Sequence, residues 1–272
     1  MSQPFLSSIA YRKRTSRTIA ATGLFCVALL SASAQAPAAA PVREIHVLAA
    51  SDLQPVFPAF AAAFEHATGI HVIASFGSSS TLATQIVNGD PADLFLAADF
   101  TFPEQVVADN LADSKEPIPY ARGTLVLFAR KDSPFQPITQ NTLLDKRIQS
   151  LAIADQFHAP YGRAAVALLR AMKLYEGLKP HLVIAENISQ TAQFVESGNA
   201  QLGLISLTLA GSDHLKEVGT YIRMPPLYPN IQQCAVVMKK SAHRSDAHAF
   251  LDWLRSPEVQ ANLPKYGLDT YR

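Results

Sequence analysis

Cysteine is nearly missing from this chain: its 272 residues hold two, Cys26 and Cys234. The first lies in an apolar N-terminal run that reads as a leader, so Cys234 is left alone and no intrachain disulfide can form. Beyond residue 36 no stretch approaches ~18 uninterrupted apolar residues, which excludes a further membrane span. Basic excess is missing too. The formal charge of +1 comes from the leader, and residues 37–272 carry 19 Lys+Arg against 22 Asp+Glu with no basic run. That balance excludes a nucleic-acid binder, which needs a cationic face. Charged residues are scarce at 17% and hydrophobic residues make up 49%, so the chain is not a disordered one.

Motifs of common chemistry are absent as well. There is no G-x-S-x-G, because Gly77-Ser78-Ser79-Ser80 lacks the second glycine that lets a nucleophile elbow close. There is no Walker A loop and no G-x-G-x-x-G. The eight histidines are scattered, with no H-x-H or H-E-x-x-H, and His243 and His248 are five apart, off one helical face. Asp90, Asp93 and Asp99 read as turn and strand-end residues. Phe57, Phe60 and Phe64 read as core.

What is present begins with the leader. Residues 1–17 hold Arg12, Lys13, Arg14 and Arg17 and no acid, residues 18–31 are apolar and small, and Ala32-Ser33-Ala34 and Ala34-Gln35-Ala36 each offer a small-x-small cleavage site. This is a secretory signal peptide over residues 1–36, cleaved near Ala34 or Ala36, and the mature protein is expected in the periplasm. Phe25 before Cys26 departs from the Leu-small-small-Cys pattern of a lipoprotein.

Thereafter strand and helix signals alternate. Apolar strands are expected at 44–50, 70–76 and 94–98, with helices between them, and the same order resumes after residue 124 at 124–129, 151–154, 182–185 and 202–205. An apolar strand at 235–238 and two closing helices over 245–264 follow. The expected fold class is α/β, with two doubly wound lobes joined by a hinge: residues 42–123 plus 238–272, and residues 124–237. The crossings are expected near Thr124–Arg130 and Gln232–Lys239.

At four places a polar or turn segment ends a strand and starts a helix: Ser51, Ser78-Ser79-Ser80, His158-Ala159-Pro160-Tyr161 and Glu186-Asn187-Ile188-Ser189. Each such start exposes unpaired N–H groups and a positive dipole end. A serine before a helix is by itself an N-cap. Several starts converging in one crevice make an anion site that needs no cation.

Ala49-Ala50-Ser51-Asp52-Leu53, Ser75-Phe76-Gly77-Ser78-Ser79-Ser80-Thr81-Leu82-Ala83 and Gly89-Asp90-Pro91-Ala92-Asp93-Leu94-Phe95-Leu96-Ala97-Ala98-Asp99 occur in succession. In this the chain resembles the periplasmic molybdate-binding proteins of ABC importers, which have the type II periplasmic-binding-protein fold. The likeness continues through Ala159-Pro160-Tyr161-Gly162, Ser197 to Gly203 and the C-terminal Ser256-Pro257-Glu258 … Lys265-Tyr266-Gly267. The resemblance implies a non-catalytic protein that holds molybdate or tungstate through hydroxyls and backbone N–H groups. Carried over by motif, the donors are Ser51, Ser79, Tyr161 and Ile188. Where the family often has a tyrosine after the Gly-x-x strand this chain has Ser206, whose shorter side chain leaves Tyr228 or Tyr161 as replacement donors. The implied partners are the oxyanion and a membrane permease, with the binding protein a monomer and no cofactor or nucleic acid. Two other readings stand beside it. One is a protein of the same fold for sulfate, phosphate or a small organic acid. The other is an exported serine hydrolase, which needs His46 or His158 beside Ser51 or Ser79.

Overall fold

Strand β1 (Glu44–Ala50) runs apolar into the interior, with Ile45, Val47 and Ala49 fully buried. It is the centre of three parallel strands, paired on one side with β2 (His71–Gly77) and on the other with β3 (Leu94–Ala97). These belong to a computed structural model that describes residues 43–272; the expected leader over residues 1–36 lies outside the described residues. The helix Phe57–Thr68 joins β1 to β2 and ends where Gly69 takes φ 70, a left-handed cap open to glycine. The helix Ser79–Val87 joins β2 to β3.

Strands β4 (Ile118–Gly123) and β5 (Leu125–Arg130) are separated by Thr124 alone, yet they lie in different sheets. The second sheet adds β6 (Leu151–Ala154), β7 (Leu182–Ala185), β8 (Leu202–Ser206) and β9 (Gly219–Arg223). The chain then returns to the first sheet with β10 (Ile231–Val237) and β11 (Leu268–Asp269). The orders are β11-β4-β10-β3-β1-β2 and β7-β6-β8-β5-β9. Apart from β11, both follow one plan. Three parallel strands have the first in the middle, and the next strand, β10 or β5, runs antiparallel. The expected α/β class with two doubly wound sheets is the observed one, and the plan is used twice although the sequence shows no repeat.

The expected boundary at residue 237 requires correction. Strand β10 pairs with β3 and β4, so it belongs to the first sheet, and the second crossing is Met224–Asn230 rather than Gln232–Lys239. An apolar strand carries no label for the sheet it joins; that is decided by long-range pairing. Strand β4 escaped the sequence because Pro119 interrupts it. The register shifts between Gln233 and Cys234, opposite Pro119, and this bulge accommodates the missing N–H.

Each face of the six-stranded sheet has its own core. On one, Phe57, Phe60 and Phe64 pack with Phe250, Trp253 and Tyr266, with Phe64 and Phe250 ring centroids 5.0 Å apart. This is the core role expected of the three phenylalanines. The other core joins Leu82, Ile86, Phe95 and Val106. The five-stranded sheet is enclosed by a larger cluster containing Phe128, Leu168, Val195 and Leu204. These cores fix the strand ends from which the loops below project.

Candidate anion-binding site

Because β1 and β2 are paired in register to their last residues, Ala50 and Gly77 end side by side, and so do Ala154 and Ala185 of β6 and β7. The loops beyond these carboxyl ends form a crevice, the usual place of a ligand in an open parallel sheet. Ala50, Ser51, Asp52, Gly77, Ser78, Ser79 and Ala98 from the six-stranded body, and Ala159, Pro160, Tyr161, Asn187 and Ile188 from the other, line a small cavity of about 10 Å³. That is below the ~300 Å³ at which organic-ligand pockets usually begin. It has no room for an organic ligand. No lysine, arginine or histidine lines it.

The backbone explains where the donors are. In the helix Ser79–Val87, the side chain of Ser78 caps by accepting from Thr81 N–H at 3.1 Å, and Ser80 N–H donates to His158 C=O at 3.2 Å. Leu82 N–H returns to Ser78 C=O, which leaves Ser79 N–H without a protein partner among the described residues. In the helix Ile188–Glu196, Asn187 caps Gln190 N–H at 3.0 Å and its carbonyl takes Thr191 N–H, leaving the N–H of Ile188. The helix Pro160–Ala171 starts on a proline, so its first N–H belongs to Tyr161. Ser51 opens a short 3-10 turn, Ser51–Leu53. Four helical starts thus meet at one cavity. Gly162 permits this on the second body, since a Cβ there would lie 2.3 Å from the carbonyl oxygen of Ala154.

Of the sequence-derived candidates, Ser51, Ser79, Tyr161 and Ile188 come together around the cavity, all at most 4% exposed. The hydroxyl of Ser79 accepts from Ala98 N–H at 3.1 Å, so its own proton is free to point inward. The hydroxyl of Ser51 has no protein partner among the described residues. Neither serine is the cap that the sequence suggested; at Ser78–Ser80 that role falls to Ser78.

Ser206 and Tyr228 do not line the cavity. Ser206 is fully buried, caps the short helix Leu207–Ala210 and pairs with the hydroxyl of Thr208 at 2.8 Å. Its position, rather than its length, keeps it from this cavity. The Tyr228 hydroxyl accepts from Leu125 N–H at 3.0 Å, near the first crossing.

Beneath the cavity lies a polar network that the sequence did not announce. Asp52 is fully buried. Its Oδ2 accepts from the Tyr161 hydroxyl at 3.1 Å and from Gln233 Nε2, while Tyr120 donates to Gln233 Oε1 at 2.8 Å. Its Oδ1 is buried without a partner. Burial pushes the Asp52 carboxyl up to about 7, against the opposing pull of the Tyr161 and Gln233 hydrogen bonds. An aspartate just inside a helix start reads as a solvated dipole partner, and only the pairing of β10 with β3 and β4 brings Gln233 under it.

Further contacts tie the two bodies across the crevice. Ser189 Oγ donates to Ser51 C=O at 2.9 Å and to Gln54 Oε1 at 3.1 Å, and Arg163 pairs with Asp99. Asp93 accepts from His46 N–H at 2.8 Å and from the Ser241 hydroxyl, a structural role. The histidines of the hydrolase reading are elsewhere: His46 Nε2 meets Ser75 Oγ at 3.1 Å, and His158 Nδ1 is 3.2 Å from Asp155. Among the described residues no histidine is hydrogen-bonded to Ser51 or Ser79.

A family described as bacterial extracellular solute-binding protein matches residues 45–269. The chain is 35% identical over 254 residues to the molybdate-binding protein ModA of Azotobacter vinelandii, which spans 93% of this chain and 96% of that protein. It is 36% identical over 210 residues to the ModA of Rhodobacter capsulatus, spanning 77% and 81%. The solved periplasmic molybdate-binding protein of Azotobacter vinelandii superposes with a TM-score of 0.76 at 29% identity, over 82% of this chain and 98% of that one. The sulfate-binding protein SubI of Mycobacterium tuberculosis, at 16% identity and a TM-score of 0.71, shares the fold. With a match from residue 45 to residue 269 and relatives of this similarity along nearly their whole length, the chain belongs to the bacterial extracellular solute-binding proteins and, within them, to the family of the molybdate-binding proteins.

Proposed function

We propose that this protein captures molybdate, or tungstate, between its two sheet bodies and delivers it to the permease of an ABC importer. The observation that carries this reading is the meeting of four helical starts, with Ser51, Ser79, Tyr161 and Ile188, around one small cavity without a cation. A dianion stripped of water there is stabilised by charge-assisted hydrogen bonds from N–H and O–H groups. The fixed span of the donors selects by radius, which favours molybdate and tungstate over sulfate. The names of the relatives point to the same ligand.

The two bodies act as lobes, residues 43–123 with 231–272 and residues 124–230, hinged at Thr124 and Met224–Asn230. Ligand touching both shifts the population toward the closed form that the permease reads. The protein works as an exported monomer released from its leader near Ala34 or Ala36, binds ligand without a cofactor and carries out no reaction. Thermal unfolding with a panel of oxyanions tests this. Molybdate and tungstate at 100 times Kd stabilise by ~2.7 kcal/mol, and sulfate and phosphate at the same concentration far less. Equal stabilisation by sulfate contradicts the selectivity, and no stabilisation by any oxyanion contradicts the function.

A further inference from the structure

Asp52 is a carboxyl in a cavity built for an anion. Its Oδ2 is engaged from the protein side by Tyr161 and Gln233, and its Oδ1 is buried and unpartnered. Asp52 also lines the space where the oxyanion of the proposed function sits. No salt bridge reaches it among the described residues. An ionised Asp52 lining the cavity that takes a dianion is repelled by it. The orphaned oxygen resolves the conflict only if it carries a proton, because it then becomes one more donor. Resting on the reading of the cavity as an oxyanion site, we propose that Asp52 Oδ1 shares one proton with the bound oxyanion, so that a fully deprotonated dianion is bound together with one proton from solvent.

The balance is simple. Ionised Asp52, a dianion and one proton give a complex in which the O–H of Asp52 donates to a ligand oxygen. A singly protonated oxyanion brings that proton itself and donates it to ionised Asp52, giving the same hydrogen bond and the same total charge with no uptake from solvent. The two routes differ only in the proton taken from solvent, which is what a calorimeter reads.

The groups packed against Asp52 do not supply the proton's charge from elsewhere. Tyr161, on the helix Pro160–Ala171, and Tyr120, on β4, are both held well above the usual tyrosine range by burial and stay neutral. Cys234, beside Gln233 on β10, is pushed up to about 12, by burial first and by Asp99 second, and is a neutral thiol. Asp99, after β3, is paired with Arg163. The remaining polar neighbours, Ser51, Ser78, Ser79 and Gln233, do not titrate. Asp52 is the one group at the cavity that changes charge near neutrality, and burial is the cause.

The experiment is calorimetric titration of the full mature chain with molybdate at about pH 6 and about pH 9, each in buffers of different ionisation enthalpy. At the lower pH Asp52 is already protonated and uptake is expected to be small. At the higher pH uptake approaches one proton per ion bound, and Kd rises about tenfold per pH unit. Asp52→Asn keeps the shape and offers an N–H donor in place of the acid. Its uptake is expected to vanish and its Kd to be flat with pH. Thermal unfolding of both proteins without ligand confirms that the variant is folded. Saturable binding with no proton uptake and a flat Kd in the parent overturns the proton sharing alone. Uptake that persists in Asp52→Asn assigns the proton to another group and overturns it too. Failure of molybdate to bind at the lower pH, where Asp52 poses no repulsion, overturns the oxyanion function itself.

Discussion

The hydroxyl of Tyr161 donates to Oδ2 of Asp52 at 3.1 Å, and in doing so ties the second sheet body to a buried carboxyl of the first. The contact requires a gap. Gly123, the last residue of β4, has no side chain where the phenol passes, and a Cβ there would lie 2.1 Å from the Tyr161 oxygen. The cavity proposed for the anion, the interbody contact and the start of the first crossing thus depend on one another within a few residues.

Gly123→Ala is expected to displace the Tyr161 ring and weaken oxyanion binding at least tenfold, equivalent to ~1.4 kcal/mol. Titration of the variant with molybdate, beside a melting curve without ligand, checks this. Affinity equal to the parent's means that the ring position does not matter to the site.

Ser51→Ala and Ser79→Ala are each expected to weaken molybdate binding. A hydrogen bond to a charged group contributes ~1.5–3 kcal/mol, so Kd rises about 10- to 150-fold. Their stabilities differ. Ser79→Ala leaves the buried N–H of Ala98 unpaired, at a cost of ~1–3 kcal/mol. Ser51→Ala breaks no hydrogen bond with protein and changes stability little. Denaturant unfolding separates the two, and a larger destabilisation from Ser51→Ala contradicts the assignment.

Ser206→Ala is expected to leave molybdate affinity close to the parent's and to cost ~1 kcal/mol of stability through its lost cap. A loss of binding exceeding that of Ser79→Ala contradicts the placement of Ser206 outside the cavity.

Asp52 gives the ligand-free protein a pH dependence whose sign follows from its raised carboxyl. The folded state keeps the proton up to about pH 7, whereas the unfolded chain releases it near 3.8. Stability is therefore complete below the unfolded value, falls as pH rises toward 7 and is level above it. The difference is about 4 kcal/mol at most. Asp52→Asn removes this fall, so the variant melts higher than the parent at about pH 8. Parallel melting curves against pH for the two proteins contradict the burial of an uncompensated carboxyl.

The sequence made the local part of this structure legible and left the long-range part dark. The four places that hold Ser51, Ser79, Tyr161 and Ile188 were legible because strand-to-helix transitions leave a mark in the chain, and an open parallel sheet gathers its carboxyl ends on one side. The motif that resembles the molybdate-binding proteins implied the choice of these four residues as donors and an oxyanion as the ligand to test. The sheet that β10 joins was not legible, since Ala235–Val237 is equally apolar in either. Nor was the network under the cavity, because Asp52, Tyr161 and Gln233 are far apart in the chain and meet only when β10 is in place. Ser206 follows a strand, like the four residues that line the cavity, but turns into the core.

The most direct measurement of the central claim is equilibrium titration of the mature chain with molybdate at neutral pH, alone and in a large excess of sulfate. The account predicts saturation at one ion per chain, with a Kd that sulfate hardly changes. Absence of saturable molybdate binding, or its displacement by sulfate in proportion to concentration, contradicts it.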